Sequence, residues 1–194
     1  MPKKSSANPP DEFLIAEFEY IANTAFQANE DRARAASFYL VTFGSFIAAL
    51  VSAQLNITPQ YLNWVQWGFA GLFLALALMG LVTVFELARL RAAWFESVAA
   101  MNHIKEYYIE RYPDLAQAIV WRSTPQVMPA KLKFNSVSFL LVLQVAVLGG
   151  AALGAGVFFA ILALAGVTWF LPALIAGAAY FFILLDLYRR ELKK

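Results

Sequence analysis

Cysteine is absent from the 194 residues, which excludes disulfides, thiolate metal sites and thiol redox chemistry. Histidine occurs once, as His103, so this chain alone cannot build a multi-histidine metal or haem site. On a helix surface that histidine reads as a structural residue rather than a pH sensor. Charge is scarce: Asp, Glu, Lys and Arg make up 14% of the residues, against about 25% in an ordinary soluble domain. The catalytic patterns are missing as well. There is no HExxH, no GxSxG, no P-loop and no pair of carboxylates of the kind an intramembrane protease needs. These gaps lead us to expect a chain that is not an enzyme, with no cofactor, no metal and no nucleic-acid polymer as partner. We expect no cleavable signal peptide, because the first apolar run begins near residue 35 behind an acidic segment. That run is expected to serve as its own uncleaved anchor.

What fills the chain is hydrocarbon. Hydrophobic residues make up 61% of it, and the mean hydropathy is +0.60. Charge is missing altogether from four stretches, roughly 36–55, 64–85, 136–164 and 169–185. A helical span needs about 20 apolar residues to cross roughly 30 Å of hydrocarbon. The connections at 56–63 and 165–168 are also uncharged. All fifteen Lys and Arg fall in the N-terminal 34 residues, in 87–133, or after Asp186. Positive charge beside spans marks the cytoplasmic side. The expected fold class is therefore all-α: a four-span helical integral membrane protein of the cell membrane, with both termini cytoplasmic and the lipid bilayer as its first partner.

Along the chain, residues 1–10 read as a disordered tail. Residues 11–122 hold an N-terminal helix, the first membrane hairpin and cytoplasmic helices. Residues 123–133 read as a linker with Pro125 and Pro129, and 134–194 as a second hairpin with a charged tail. Leu14, Phe18, Ile21 and Ala25 recur at helical spacing, with Ile15, Ala22 and Phe26 beside them, and give the first helix an apolar stripe. No Gly or Pro interrupts 11–43, so this helix should run directly into span one. Span two continues without a breaker through Trp94, Val98, Met101, Ile104 and Tyr108 to Pro113, a helix of about 70 Å from Trp64 to Tyr112. A short helix over 114–121 follows. The N-terminal helix and the extension of span two are expected to pack as a cytoplasmic helical layer. The segment 11–34 has six acids and two bases, and 87–133 has seven bases and four acids. These could pair with each other, or the basic segment could face anionic lipid.

Candidate site residues fall into two groups. Gly44, Ala48 and Ser52 in span one form a small-residue ridge that lets another helix approach closely, and Gly150 and Gly154 make a GxxxG pair in span three. The second group is the aromatic and arginine set Trp94, Tyr108, Arg111, Trp121 and Arg122. Such residues suit a flat anionic ligand such as a small nucleotide by stacking and phosphate pairing. They equally suit a helix–helix interface, which is the preferred reading. Span centres carry no ionisable group, which disfavours ion-coupled transport. Gln144 is the one strongly polar side chain well inside spans three and four. Glu86 and Asp186 each precede an arginine by three residues (Arg89 and Arg189), a spacing that suits interfacial ion pairs. The two hairpins exit through similar tetrapeptides, 86–89 and 186–189, which we read as the common look of inward-exiting spans rather than a repeat.

The stretch Ala28-Asn29-Glu30-Asp31-Arg32-Ala33-Arg34-Ala35-Ala36-Ser37-Phe38-Tyr39, with the segment Arg91 to Arg122 after span two, resembles SLATT-type and Pycsar-type membrane effectors of bacteria. It is also similar to small octameric membrane proteins related to RipA. The likeness covers 11–122 and leaves spans three and four aside. It implies an oligomeric membrane effector that perturbs the bilayer when triggered, with no catalytic residue to carry over. The expected function is a self-associating membrane scaffold or pore-type effector. The alternative is a small constitutive transporter or channel subunit.

Overall fold

The computed structural model describes residues 9–52, 59–119 and 136–193. The described residues are helical and contain no strand: α1 (Pro9–Ser52), a 3-10 turn (Pro59–Tyr61), α2 (Leu62–Arg111), α3 (Leu115–Ala118), α4 (Val137–Ala165) and α5 (Phe170–Glu191). Helices α1, α2, α4 and α5 are each long and apolar enough to cross a membrane. Helix α1 begins at Pro9, so the last two residues of the expected tail are helical. The helix expected over 114–121 is shorter, at Leu115–Ala118. The turn at 56–58, the linker 123–133, Trp121 and Arg122 lie outside the described residues.

Helices α1 and α2 pair antiparallel along most of their 44 and 50 residues. The ammonium of Lys105 lies 5.9 Å from the ring centre of Phe18, the guanidinium of Arg32 lies 6.0 Å from that of Trp94, and the rings of Phe46 and Phe73 are 5.4 Å apart. Neither helix meets an interior Pro, so both continue past the apolar stretches as one two-helix arm. Leu14, Phe18 and Ile21 are half-buried on this arm and Ala25 is buried, while Ile15 and Phe26 face outward. The buried line of α1 runs Ala25, Ala28, Arg32, Ala36, Tyr39. Its spacing of three and four residues is that of a packing seam, and its alanines bring the helices close.

Helix α4 lies between α2 and α5. The side chain of Ser136 accepts a hydrogen bond from the Phe139 amide (3.2 Å) and caps its start. Gly166, at φ 64°, ends it in the left-handed conformation that suits glycine. Close approaches at two places hold the bundle. A Cβ added at Gly80 would sit 2.8 Å from the Tyr39 hydroxyl, one at Gly150 2.8 Å from the Gly177 carbonyl oxygen, and one at Gly177 2.7 Å from that of Gly150. The Tyr39 hydroxyl donates to the Leu76 carbonyl (3.2 Å), and that of Tyr180 to Ala77 (2.8 Å). Tyr39, Val84, Val142, Val145 and Leu184 have no exposed surface and seal the centre.

Candidate functional site

The small-residue ridges have different fates. Gly150 and Gly154 lie inside the chain against α5, where an added Cβ would sit 2.8 and 2.9 Å from the carbonyl oxygens of Gly177 and Ala173. Gly44, Ala48 and Ser52 are exposed, and a Cβ on Gly44 would meet nothing within 4 Å. The packing face of α1 is the opposite one, through Tyr39, Phe43, Phe46, Ile47 and Leu50. Gln144 is also exposed, in a shallow groove of about 330 Å³ with Leu40, Leu143, Val147 and Leu148. Leu40 begins the four-residue series that continues through Gly44, Ala48 and Ser52. The amide and the ridge therefore share one outer wall. A second groove, about 620 Å³, follows the α4–α5 seam past Gly150, Phe158, Phe170 and Gly177 and is lined by apolar residues and glycine.

The aromatic and arginine set is not one cluster. Fourteen residues of unbroken helix separate Trp94 from Tyr108, about 21 Å along α2. Tyr108 and Arg111 lie at the far end of the arm, where Arg111 donates to the Tyr107 hydroxyl (3.1 Å) and lies 5.8 Å from the Tyr112 ring. Of the expected interfacial pairs, Asp186 meets Arg190 at 2.6 Å rather than Arg189, because the i,i+4 position lies nearer on this helix face. Glu86 is exposed and forms no ion pair among the described residues. His103 is exposed, with Glu106 at 3.9 Å.

Trp94 instead belongs to a junction of α1, α2, α4 and α5 just beyond the apolar stretches. Arg32 sits on the buried seam of α1, with 5% of its surface exposed. Its Nε donates to the Ala28 carbonyl (3.3 Å) and its Nη1 to the Ser138 hydroxyl (2.5 Å). Arg91 of α2 donates from its Nη1 to the same oxygen (2.9 Å). Its guanidinium lies 5.1 Å from the Trp94 ring centre and 4.7 Å from that of Phe95. Tyr188 of α5 is buried beside them. Cation–π contact, one shared hydroxyl and the Ala28 carbonyl are what this junction offers two positive charges.

No carboxylate pairs with either arginine among the described residues. All thirteen Asp and Glu lie within those residues. Desolvation, and then the charge of Arg91, pulls the Arg32 guanidinium below the usual arginine value, and desolvation does the same to Arg91. Both remain charged at neutral pH. Burial pushes the Tyr188 phenol up, against the two guanidiniums. Because one oxygen accepts from both, the two Nη1 atoms are at most about 5.4 Å apart, the sum of the two bond lengths. At that spacing two unit charges repel by about 3 kcal/mol at an effective dielectric of about 20.

Sequence reasoning read Arg32 and Arg91 as flanking charge and as members of the stretches that carry the resemblance, not as a site, and read Ser138 and Tyr188 as span ends. One signal was there: Arg32 continues the small-residue line Ala25, Ala28, Ala36, Tyr39, so helical periodicity alone turns it inward. No family model, curated protein or solved structure matches this chain.

Proposed function

We propose that this chain is a non-enzymatic, four-span membrane protein with both ends cytoplasmic, and that it self-associates through the outer wall of α1 and α4 into a membrane scaffold or pore-type effector. The observation that carries this reading is the exposed Gln144 amide beside half-buried Leu40, which begins the line continued by exposed Gly44, Ala48 and Ser52. Gln144 lies six residues beyond Ser138, about 9 Å deeper into α4. A primary amide facing hydrocarbon without a partner is costly. A second copy supplies a partner, and the small ridge lets its helix come close enough to do so. The sealed centre around Tyr39, Val142 and Leu184 favours a path between copies over one through a single chain.

The absence of cysteine makes the test direct. Ala48→Cys introduces the chain's one thiol, and in oxidised membranes it should give a disulfide-linked dimer. Val82→Cys, exposed on α2, should not. Equal cross-linking at both positions, or none at Ala48→Cys, contradicts the assigned face. Orientation is tested with the same tool. Val167→Cys should be labelled from outside and His103→Cys only after permeabilisation. Labelling of His103→Cys from outside removes the four-span reading.

A further inference from the structure

We propose that the Arg32–Arg91 junction is a binding site for a phosphate group, carried by a phospholipid headgroup or by a soluble phosphate. The proposal does not depend on self-association, because the site lies within one chain.

Three observations converge on it. The first is uncompensated charge: two guanidiniums share a single serine oxygen, and no carboxylate of the described chain pairs with either. Glu86 and Glu96, five residues to either side of Arg91, are exposed and form no ion pair among the described residues, and the acids beside Arg32 and Tyr188 are directed elsewhere. Asp31 and Glu30 pair with Arg34 on the exposed face of α1, and Asp186 pairs with Arg190. The second is donor capacity. An arginine carries five N–H donors in a planar fork. Arg32 uses its Nε and one Nη1 hydrogen on Ala28 and Ser138, and Arg91 uses one Nη1 hydrogen on Ser138. The remaining forks match the oxygens of a tetrahedral phosphate, which accepts from two arginines at once.

The third is the polarity of the place. Ser138 lies in the first turn of α4, whose N-terminal end carries the positive pole of the helix dipole. That end is stabilised by anions, yet here it faces two cations. An anion relieves both conflicts together. Trp94 and Phe95 both lie against the Arg91 guanidinium and limit its freedom, which pre-organises its fork. Phosphate is the favoured class over carboxylate because it presents oxygens in three dimensions, as two guanidiniums from different helices require. The depth admits either source. Arg32 is four residues before the first apolar stretch and Arg91 six residues after the second, about 6 and 9 Å along their helices, at the level of a headgroup layer.

The test uses the full chain purified in mild uncharged detergent. Thermal midpoints are measured with inorganic phosphate, and with phosphatidylglycerol against an uncharged lipid, each against chloride at equal ionic strength. Native mass measurement of the same samples counts retained phospholipid. A saturable rise in midpoint with a phosphate carrier is expected. Arg91→Gln should weaken it about tenfold or more, and Arg91→Lys less, since lysine keeps the charge but loses the fork. Arg111→Gln, at the far end of the arm, should leave it unchanged. Arg91→Gln should not lower the ligand-free midpoint, because it removes one of two repelling cations; this half-buried variant keeps the test usable if Arg32→Gln fails to fold.

Retained phosphatidylglycerol that is lost in Arg91→Gln assigns the phosphate to lipid. A rise with inorganic phosphate in delipidated protein assigns it to a soluble ligand. No rise beyond chloride with either carrier, or the same rise in Arg91→Gln, overturns the proposal.

Discussion

In the α4–α5 hairpin backbone meets backbone, whereas in the α1–α2 hairpin side chains stand between the helices. Gly150 and Gly177 approach so closely that a Cβ on either would lie within 2.8 Å of the other's carbonyl oxygen. In α1–α2 the contacts are made by Tyr39 against Gly80, Phe46 against Phe73, and Phe18 under Lys105. On the proposed membrane placement, the cause lies in what surrounds each pair. In hydrocarbon, burying apolar side chains gains little over lipid contact, so close packing and interhelical hydrogen bonds must hold helices together. The α4–α5 seam follows that rule at Gly150, Gly154, Ala173 and Gly177. The α1–α2 pair follows it only at span depth, then leaves for the arm, where a half-buried stripe such as Leu14, Phe18 and Ile21 gains from exclusion of water.

The largest expected effect is at the backbone contact. Gly150→Leu places a side chain where the Gly177 carbonyl lies, and should cost about 3 kcal/mol or separate the hairpin, read as loss of the folded fraction in a denaturant titration in detergent. Folding as stable as the unmodified chain would break the comparison at its strongest point.

Next is Gly80→Ala, which meets the rigid, fully buried Tyr39 ring and should cost about 2 kcal/mol. In a Tyr39→Phe background the cost should shrink by about 1 kcal/mol, since the nearest obstacle is the hydroxyl oxygen itself. An additive double-mutant cycle would show that Tyr39 does not set this approach.

A smaller effect is expected in the arm. Phe18→Asp should loosen it by about 1 kcal/mol, because Phe18 is only half-buried and Lys105 lies near enough to pair with the new carboxylate. Hydrogen exchange should speed up over 11–25 and the end of α2 while α4 and α5 keep their protection. Uniform acceleration through the chain would mean that the arm and the bundle unfold as one unit.

The smallest effect on the fold is expected from Gly44→Leu. With nothing within 4 Å of the added Cβ, single-chain stability should change by less than about 0.5 kcal/mol, while cross-linking of Ala48→Cys copies in the same background should drop. This sharpens the contrast: the same residue type is fixed by the fold in α4 and free of it in α1.

The long helices were legible because apolar runs and the lack of breakers are local properties, and α1 and α2 run on as single helices past their apolar stretches. The stripe at Leu14, Phe18 and Ile21 was legible for the same reason. Which ridge turned inward was not, because Gly44 and Gly150 look alike until the aromatic face of α1 is seen to take the inner side. The arginine junction was hidden more deeply. Arg32 and Ser138 are 106 positions apart and Arg91 and Ser138 are 47 apart, so no spacing rule joins them. Flanking positive charge also explained both arginines without a site. Trp94 drew notice as an aromatic, but it was grouped with Tyr108 and Arg111 by composition, and a rigid helix keeps them apart.

The central claim is that copies of this chain associate through the wall that bears Gln144. Native mass measurement in mild detergent tests it most directly, on the unmodified chain and on Gln144→Leu. An oligomer that falls to a folded single chain in Gln144→Leu is the predicted result. A single-chain mass for the unmodified protein, at concentrations where membrane oligomers persist, would contradict it and leave a monomeric carrier or accessory subunit as the better account.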